Sequence, residues 1–408
     1  MSAVNIDELP LEIIEMVLSH LNVYRDYPNT LLVNENFRRA TSNLIRRRTT
    51  ESENQLMLDK AKFSKYRRFS DQQVPPPCAY HRAAVCDSKM LVVSNHVLWT
   101  FDLVARKWQR SALAPQSLFA EAVCTYGENV LIFLGASWDQ DGDTDETENA
   151  VVLYNSKENT LRDVTNLTRA PCRFFVNPTV VGECAILVHY DPETSSAGQS
   201  DIFCLDLKTL TWTSESAVSR DQPSELDTMC QIKISENQIL YIGATWHGEE
   251  VWLLQIGVFF KWKRISVIDE HFAPKKAEYL SKLVRVGENL AVTLAPSENR
   301  CGQNSCEVKH LSKKAMSLHM LCFKDLEFDR VRWLRPNTEG SIRGTLTGYS
   351  LLSTPFELLL FGGLREDSKG RKSETNSLYT TFLSAEDSPR GTSSPSPRET
   401  VPPTSRRE

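Results

Sequence analysis

The stretch 139–146 concentrates carboxylates and is the first place where the chain could bind a metal ion. It reads Asp-Gln-Asp-Gly-Asp-Thr-Asp-Glu, and oxygen ligands at alternate positions suit calcium. A calcium loop, however, needs Gly at the position of Thr144 and a bidentate Glu at the position of Ala150. We therefore interpret the stretch as a solvated acidic loop that could attract a basic segment of a partner.

Two cysteines and two histidines form the other group of metal-ligating residue types. Cys301 and Cys306 are five positions apart, whereas zinc sites prefer tighter pairs with a second pair nearby. His310 and His319 follow at spacings that match no standard zinc pattern. We therefore expect no bound metal and no other cofactor.

Composition limits the partners and the compartment. The net charge is −5 over 408 residues, without the strongly basic face that nucleic-acid binding usually requires. No apolar run approaches the ~20 residues of a membrane span, and the acidic N-terminus is unlike a secretory signal. We expect a cytoplasmic or nuclear protein that binds neither nucleic acid nor membrane, and whose ten cysteines are reduced thiols.

Residues 1–48 are predicted to be helical. Apolar residues recur there at three- and four-residue steps, as on one face of a helix: Ile13, Ile14, Val17, Leu18 and Leu21. A second such stretch, 31–45, ends at the three arginines 46–48, which suit a helix C-terminus or a nuclear import signal. So short a region buries little apolar surface alone. Its apolar stripe should therefore dock either on the rest of the chain or on a partner.

The remainder of the chain divides into a linker, a β region and a tail. Residues 49–78 are polar, end in three prolines and Cys78, and are predicted to be a linker. Residues 79–383 alternate short β-branched runs with turn residues, which is typical of an all-β array. Residues 384–408 are rich in Ser, Pro and charge and are predicted to be disordered. Three serines of this tail precede proline and could be phosphorylated, although an unregulated tail fits equally: Ser388, Ser394 and Ser396.

The β region consists of units that recur roughly every 50 residues. Each unit has a weakly apolar strand, a strong apolar run, a polar loop of variable length and a last segment near an aromatic residue, usually Trp. Repeats of this length with four strands each indicate the blades of a β-propeller. The predicted fold class is therefore multidomain α + all-β, with a small helical region before a propeller of about six blades.

The sixth unit lacks a last strand of its own. After the strand around Ser377–Thr380 the sequence becomes the polar tail, which would leave an open sheet edge. We predict that residues near Lys65–Ser70, within the linker, pair with this unit and close the ring.

The variable loops all follow the strong apolar run, so a propeller would bring them to one rim: 136–149, 189–200, 244–249, 295–317 and 364–375. Loops on a rigid scaffold commonly carry recognition, although insertions are also tolerated without any function. Six loop residues are predicted to contact a protein partner, the aromatic ones as anchors and the acidic ones through charge: Trp138, Asp139, Asp141, Asp143, Trp246 and His247.

Two segments of the helical region resemble an F-box. Residues 9–14 read Leu-Pro-Leu-Glu-Ile-Ile, and residues 31–37 read Leu-Leu-Val-Asn-Glu-Asn-Phe, similar to the Leu-Val-Cys-x-x-Trp segment of that family. Asn34 stands for the usual Cys, and Phe37 stands for the usual Trp and keeps an aromatic anchor. The two halves match at the right spacing and together cover the helical region.

The repeated units resemble kelch repeats, in which the strong strand ends in Gly-Gly and the fourth strand carries Trp. Positions 362–363 keep the glycine pair, Gly135 and Gly243 keep one glycine, and positions 94–95 are Ser-Asn. The resemblance therefore implies a degenerate kelch-type propeller.

The order of the two regions resembles that of F-box proteins with kelch-like repeats. This resemblance implies a non-catalytic substrate-recognition subunit of an SCF-type (Skp-cullin-F-box) E3 ubiquitin ligase. The F-box would dock a Skp-type adaptor, and through it the cullin and RING subunits, while the propeller would bind an unknown protein substrate.

Seven residues are then expected to bind the adaptor, although a helix stripe also serves as core and some of them should be internal: Leu9, Pro10, Ile14, Leu18, Leu32, Val33 and Phe37. A non-degradative kelch scaffold is the alternative to a ligase receptor. A propeller enzyme is a further alternative, because some kelch relatives carry copper oxidase chemistry. For the enzyme the sequence has no suitable cluster of Tyr, His and Cys.

Overall fold

A helical N-terminal region is followed by a mostly β region of several antiparallel sheets. The computed structural model describes residues 9–58, 62–66, 73–94, 96–112, 118–136, 150–168, 177–189, 201–219, 221–223, 228–245, 248–296, 315–334, 342–367 and 370–382. The predicted disordered tail, 384–408, lies outside these residues.

The helical region has three helices: α1 (Leu11–Ser19), α2 (Tyr27–Thr30) and α3 (Glu35–Met57). Pro10 directly precedes α1, and the Asn34 side-chain oxygen caps α3 by accepting a hydrogen bond from the Phe37 N–H at 2.9 Å. The prediction that the second helical stretch ends at Arg48 is wrong, because α3 continues through the first nine residues of the predicted linker. Tertiary packing accounts for the extension, since Leu56 is buried in a core cluster of the β region.

The strands are, in chain order, β1 (Ser64–Lys65), β2 (Arg82–Cys86), β3 (Lys89–Ser94), β4 (Val97–Asp102), β5 (Lys107–Ala112), β6 (Leu118–Tyr126), β7 (Asn129–Ala136), β8 (Ala150–Asn155), β9 (Thr160–Asp163), β10 (Thr179–Val181), β11 (Cys184–His189), β12 (Asp201–Asp206), β13 (Thr211–Ser216), β14 (Thr228–Ser235), β15 (Gln238–Thr245), β16 (Gly248–Gln255), β17 (Lys261–Ile268), β18 (Val284–Val286), β19 (Leu290–Pro296), β20 (Ala315–Cys322), β21 (Arg330–Leu334), β22 (Ile342–Arg343), β23 (Thr345–Thr347), β24 (Ser350–Ser353), β25 (Glu357–Phe361), β26 (Leu364–Glu366), β27 (Lys372–Glu374) and β28 (Leu378–Phe382). A short helix, α4 (Ala277–Leu280), precedes β18.

Four-stranded antiparallel meanders recur along the β region, in step with the repeated units of the sequence. They are β2–β5, β6–β9, β10–β13, β14–β17 and β18–β21, and parallel pairing of β17 with β21 joins the last two into one sheet. Each strand pairs with the next one along the chain, so the order in each meander follows the chain. The fourth strands carry the large apolar residue that the repeat predicted there: Trp108, Leu161, Trp212, Trp262 and Trp333.

The first strands of the sheets contact one another in a closed circle. β2 contacts β6, β6 contacts β10, β10 contacts β14, β14 contacts β18, β18 contacts β24, and β24 contacts β2. Core clusters fill the spaces between neighbouring sheets, as where Leu91 of one sheet shares a cluster with Ile132 of the next. Burial on both faces explains why the second strand of each unit is a continuous apolar run rather than an alternating one.

The last sheet, β24-β25-β28, is completed by a strand from before the first sheet. β1 pairs antiparallel with β28, with Ser64 opposite Thr380 and Lys65 opposite Tyr379. The segment lies where the sequence predicted a closing strand near Lys65–Ser70, one residue earlier than expected, and the part of that prediction beyond position 66 lies outside the described residues. The chain thus pairs an early strand with its last one, which removes an open edge.

Tyr66 should contribute strongly to this closure. Its ring lies 5.3 Å from that of Phe101, its hydroxyl donates to the Arg106 carbonyl at 2.6 Å, and its N–H donates to the Leu378 carbonyl at 2.8 Å. We expect Tyr66→Ala to lower the free energy of unfolding by about 2 kcal/mol and Tyr66→Phe, which loses only the hydroxyl, by about 1 kcal/mol. Urea unfolding measures both, and equal stability of Tyr66→Ala and the native chain would contradict a stabilising closure.

One variable loop predicted from the sequence, 364–375, is a strand hairpin. β26 pairs with β27 and with β23, forming a three-stranded sheet. The Asp367 carboxylate accepts from the Arg371 N–H at 3.0 Å and from its guanidinium at 2.8 Å, which closes the hairpin. The loop prediction was wrong because these short, largely exposed strands lack the apolar alternation by which a strand is detected.

Candidate partner-binding surfaces

The inner face of the helical region packs on the β region. Ile14 and Leu18 of α1 are each only 1% exposed and share a core cluster with Phe101 and Phe356. These two residues were predicted to bind an adaptor, but in the folded chain both side chains are buried in its own core. The predicted stripe is therefore divided: Ile14 and Leu18 dock on the rest of the chain, whereas Ile13 and Val17 stay exposed.

The outer face of the helical region remains apolar and exposed. Leu32 is 81% exposed and Val33 57%, and both lie in the turn before α3. Of the other predicted adaptor residues, Pro10 is exposed, while Leu9 and Phe37 are half-buried against the core cluster. The structure thus leaves Pro10, Leu32 and Val33 accessible to a partner.

Three further exposed apolar residues lie on α1: Ile13, Met16 and Val17. Their spacing of three and four places them on one face of the helix, opposite to Ile14 and Leu18. The sequence reasoning did not select them as adaptor residues, because α1 is apolar on two faces and periodicity alone does not tell which face docks on the chain. We name Ile13, Met16, Val17, Leu32 and Val33 the outer apolar face.

A buried carboxylate fastens the helical region to the β region. Glu357 at the start of β25 is fully buried, and it accepts from Arg106 Nη2 at 2.9 Å and Nη1 at 3.2 Å. It also accepts from the Tyr24 hydroxyl at 2.8 Å, while the Tyr24 ring packs edge-on against Phe356 at 5.4 Å. Burial and the negative charge of Glu357 raise the pKa of Tyr24 well above its ordinary value, so Tyr24 stays a hydrogen-bond donor.

A second attachment involves the end of α3. Glu53 is buried and accepts hydrogen bonds from the backbone N–H groups of Glu288 and Asn289 in the turn between β18 and β19, the latter at 2.7 Å. A buried carboxylate that accepts two backbone N–H groups is a strong, charge-assisted contact. It explains why the helix persists beyond the arginines.

The three arginines at 46–48 each contact other residues of the chain. Arg46 forms an ion pair with Glu288 and Arg47 one with Glu15, both at 3.6 Å. Arg48 is 5% exposed and lies over the Tyr27 ring at 5.5 Å from its centroid. The helix-terminus interpretation is wrong, because α3 continues to Met57 and the three arginines lie within it. The import interpretation stays a prediction.

The attachments all lie at one rim of the β region. In a four-stranded antiparallel meander, the turn after the first strand and the turn after the third strand lie at the same end of the sheet. The connection after the second strand lies at the opposite end of the sheet. Arg106 lies in a turn after a third strand, and the turns at 287–289 and 354–356 follow first strands. The helical region therefore covers one rim, which we name the helical rim, and the variable connections leave from the opposite rim, the loop rim.

The predicted substrate-contacting residues lie, in the chain, between the second and third strands of their units. Trp138, Asp139, Asp141, Asp143, Trp246 and His247 all lie outside the described residues. So do Cys301, Cys306 and His310. Within the described ranges, no group of three or more His, Cys, Asp or Glu side chains could hold a metal ion. The cysteines that are described are free thiols.

None of the described helices is long and apolar enough to cross a membrane.

Comparison with known proteins adds evidence about the fold alone. No family model matches the chain, and no curated protein matches it. Among solved structures, one titled "Structure of YjhT" is similar with a TM-score of 0.50 and 15% sequence identity, covering 75% of this chain and 95% of that one. At this identity the similarity concerns the fold alone and carries no statement about activity.

Proposed function

We propose that the chain is a non-catalytic substrate-recognition subunit of an SCF-type E3 ubiquitin ligase. In this proposal the helices α1–α3 are an F-box and the sheets form a kelch-type β-propeller of six blades. The observation that carries the proposal is the outer apolar face, which remains exposed after the opposite face of the same helices has docked on the β region. Three of these residues share one face of α1, and exposed apolar side chains grouped on a folded protein commonly mark a site of protein association.

Separation of the two rims supports this role. The helical region occupies the helical rim and is fixed there by Glu357 and Glu53, while the variable connections leave from the loop rim. An adaptor and a substrate could therefore bind at the same time without competing. Such a receptor acts by proximity, since it raises the local concentration of the substrate near the ubiquitin-carrying subunit.

The closed circle of first strands supports the propeller. Each unit contributes one strand to the circle, and β1 completes the sheet that would otherwise lack its fourth strand. A scaffold held in this way presents its loops in a fixed arrangement, which suits selection of a protein substrate.

The test is capture of a purified Skp-type adaptor by the full chain. We expect capture by the native chain and its loss from a Pro10→Ala, Leu32→Ala, Val33→Ala variant, because all three positions are exposed and interface energy concentrates in a few anchors. Circular dichroism should show that the variant remains folded. Absence of capture by the native chain would refute the F-box assignment. Capture without ubiquitination of any bound protein by the assembled ligase would favour the scaffold alternative.

A further inference from the structure

The turn between β16 and β17 carries the most exposed large apolar side chain of the described residues. Val258 is 94% exposed, and its neighbour Phe259 is 62% exposed. In the second and third units the same turn bears polar, exposed side chains, Lys-Glu at 157–158 and Lys-Thr at 208–209. The fourth unit therefore departs from the repeat by placing apolar residues in water, which a folded protein avoids unless they have a function.

Packing of the core does not account for these two side chains. Ile256 and Phe260, at the two ends of the turn, pack against the buried cluster between the third and fourth sheets, whereas Val258 and Phe259 remain exposed. Val218 lies beside the turn, because its N–H donates to the Phe260 carbonyl at 2.9 Å, and it is itself 63% exposed. Exposed apolar side chains grouped in this way commonly mark a site of association.

A groove of about 300 Å³ lies beside the projecting turn. The Ile256 N–H donates to the Asn237 carbonyl at 2.8 Å and joins this turn to the one between β14 and β15. The size is at the lower limit of pockets that hold small molecules, so the groove admits a few side chains. Its lining includes amides, one lysine and the exposed apolar residues: Asn237, Gln238, Gln255, Val258, Phe259 and Lys261. We name the segments 236–238 and 255–261 with Val218 the turn patch.

The turn patch lies on a part of the helical rim that the helices leave uncovered. Its two turns follow a first and a third strand, as the turns of that rim do. The attachments of the helical region involve the first, fifth and sixth units, and Val258 and Phe259 of the fourth unit stay exposed in the whole chain. The patch is therefore separate from the outer apolar face and open to a partner of its own.

We propose that the turn patch binds a second copy of this chain, in a dimer with two-fold symmetry. A two-fold interface uses the same surface on both copies, so that surface has to be complementary to itself. The turn patch meets this requirement, because the projecting Val258 and the groove lie side by side. The tip of each copy enters the groove of the other. The inference goes beyond the ligase function and does not depend on it.

The charges of the turn patch are also complementary to themselves. Lys261 is exposed and forms no ion pair with the described residues. Glu236, next to the groove wall, is 76% exposed and pairs with Lys233 at 2.7 Å. Each copy thus presents both signs, and the two-fold arrangement lets Lys261 of one copy approach Glu236 of the other. The patch is smaller than a standard interface, so we expect a weak dimer with a dissociation constant on the order of 100 μM.

Sedimentation equilibrium of the full chain measures this association, under reducing conditions and over concentrations that span about 100 μM. We expect an equilibrium between monomer and dimer without larger species. Val258→Ser with Phe259→Ser should remain monomeric over the same range, because the apolar tip is removed. A native chain that is monomeric throughout, or a variant that associates like the native chain, would overturn the proposal. Species larger than a dimer would overturn the two-fold arrangement, since contacts that do not close continue into a chain.

Two further variants test where and how the copies meet. Phe328→Ser is the matched control, because Phe328 is 66% exposed in the turn between β20 and β21, and it should associate like the native chain. Lys261→Glu should weaken the association at least about 10-fold by removing the attraction between opposite charges. Lys261→Glu with Glu236→Lys exchanges the two signs and should restore it. Association that stays weak after the exchange would refute the pairing of these two residues.

The outer apolar face is examined separately with Met16→Glu, Val17→Glu. This variant should keep the native dissociation constant of the dimer, because neither residue belongs to the turn patch. Loss of the dimer in this variant would assign the contact between copies to the outer apolar face and overturn the proposal. Adaptor capture is a separate measurement, so failure of the ligase proposal would leave the result on the dimer intact.

Discussion

Glu357→Gln is expected to lower the free energy of unfolding by about 3 kcal/mol, because removing one partner of a buried ion pair leaves the other charge uncompensated. Glu357 is fully buried, and Arg106 retains a quarter of its side-chain exposure. Glutamine would also direct an NH2 group at the donors of Arg106 or Tyr24. Urea unfolding measures the loss, and hydrogen exchange in α1 should become faster because this contact fastens the helices to the β region.

A double variant distinguishes the effect of an unpaired buried charge from the effect of altered packing on the free energy of unfolding. Glu357→Leu with Arg106→Met removes both charges, and it should be more stable than Glu357→Gln because apolar replacement of a buried pair is often neutral. Glu128→Gln is the control, since Glu128 and its partner Lys157 form a largely exposed pair at 3.3 Å and exposed pairs contribute little. Unfolding of Glu357→Gln at the native urea midpoint would show that the pair does not hold the helical region.

The repeat pattern predicted the sheets because it records a physical requirement. A strand buried on both faces must be apolar throughout, and the second strand of each unit shows this as a run such as 130–134. The missing fourth strand of the last unit could also be predicted from the sequence, because the unpaired edge of a β-sheet has to be covered. The structure places β1 at that edge.

The polar attachments had no comparable signal in the sequence. Glu357 is 251 positions from Arg106 and 333 from Tyr24, and nothing local distinguishes it from a solvent-exposed carboxylate. Glu53 lies in a polar stretch that was interpreted as linker, and only its contact with the turn at 287–289 explains its burial. Single charged residues buried by tertiary structure break the apolar pattern on which sequence reasoning depends.

Placing negative charges on the exposed face of α1 is expected to abolish adaptor capture, with the affinity for the adaptor reduced at least about 100-fold. A carboxylate buried in an apolar interface loses its hydrating water and finds no hydrogen-bond partner there, which makes binding unfavourable. The variant is Met16→Glu with Val17→Glu. The two native side chains are 56% and 53% exposed, and glutamate is a good helix former, so stability should change little. Capture is measured by pulldown, and folding by urea unfolding.

The opposite face of the same helix provides the contrast. Ile14→Glu should destabilise the chain strongly, since Ile14 is 1% exposed in the core cluster, and any loss of capture would accompany unfolding. Val258→Glu with Phe259→Glu, in the turn between β16 and β17, charges two other exposed apolar residues and should leave capture unchanged. If Met16→Glu, Val17→Glu still captured the adaptor with native affinity, the docking surface would have to exclude α1. Leu32 and Val33, in the turn before α3, would then remain as the candidate contacts with the adaptor. The proposed F-box would bind the adaptor through fewer residues than the outer apolar face contains.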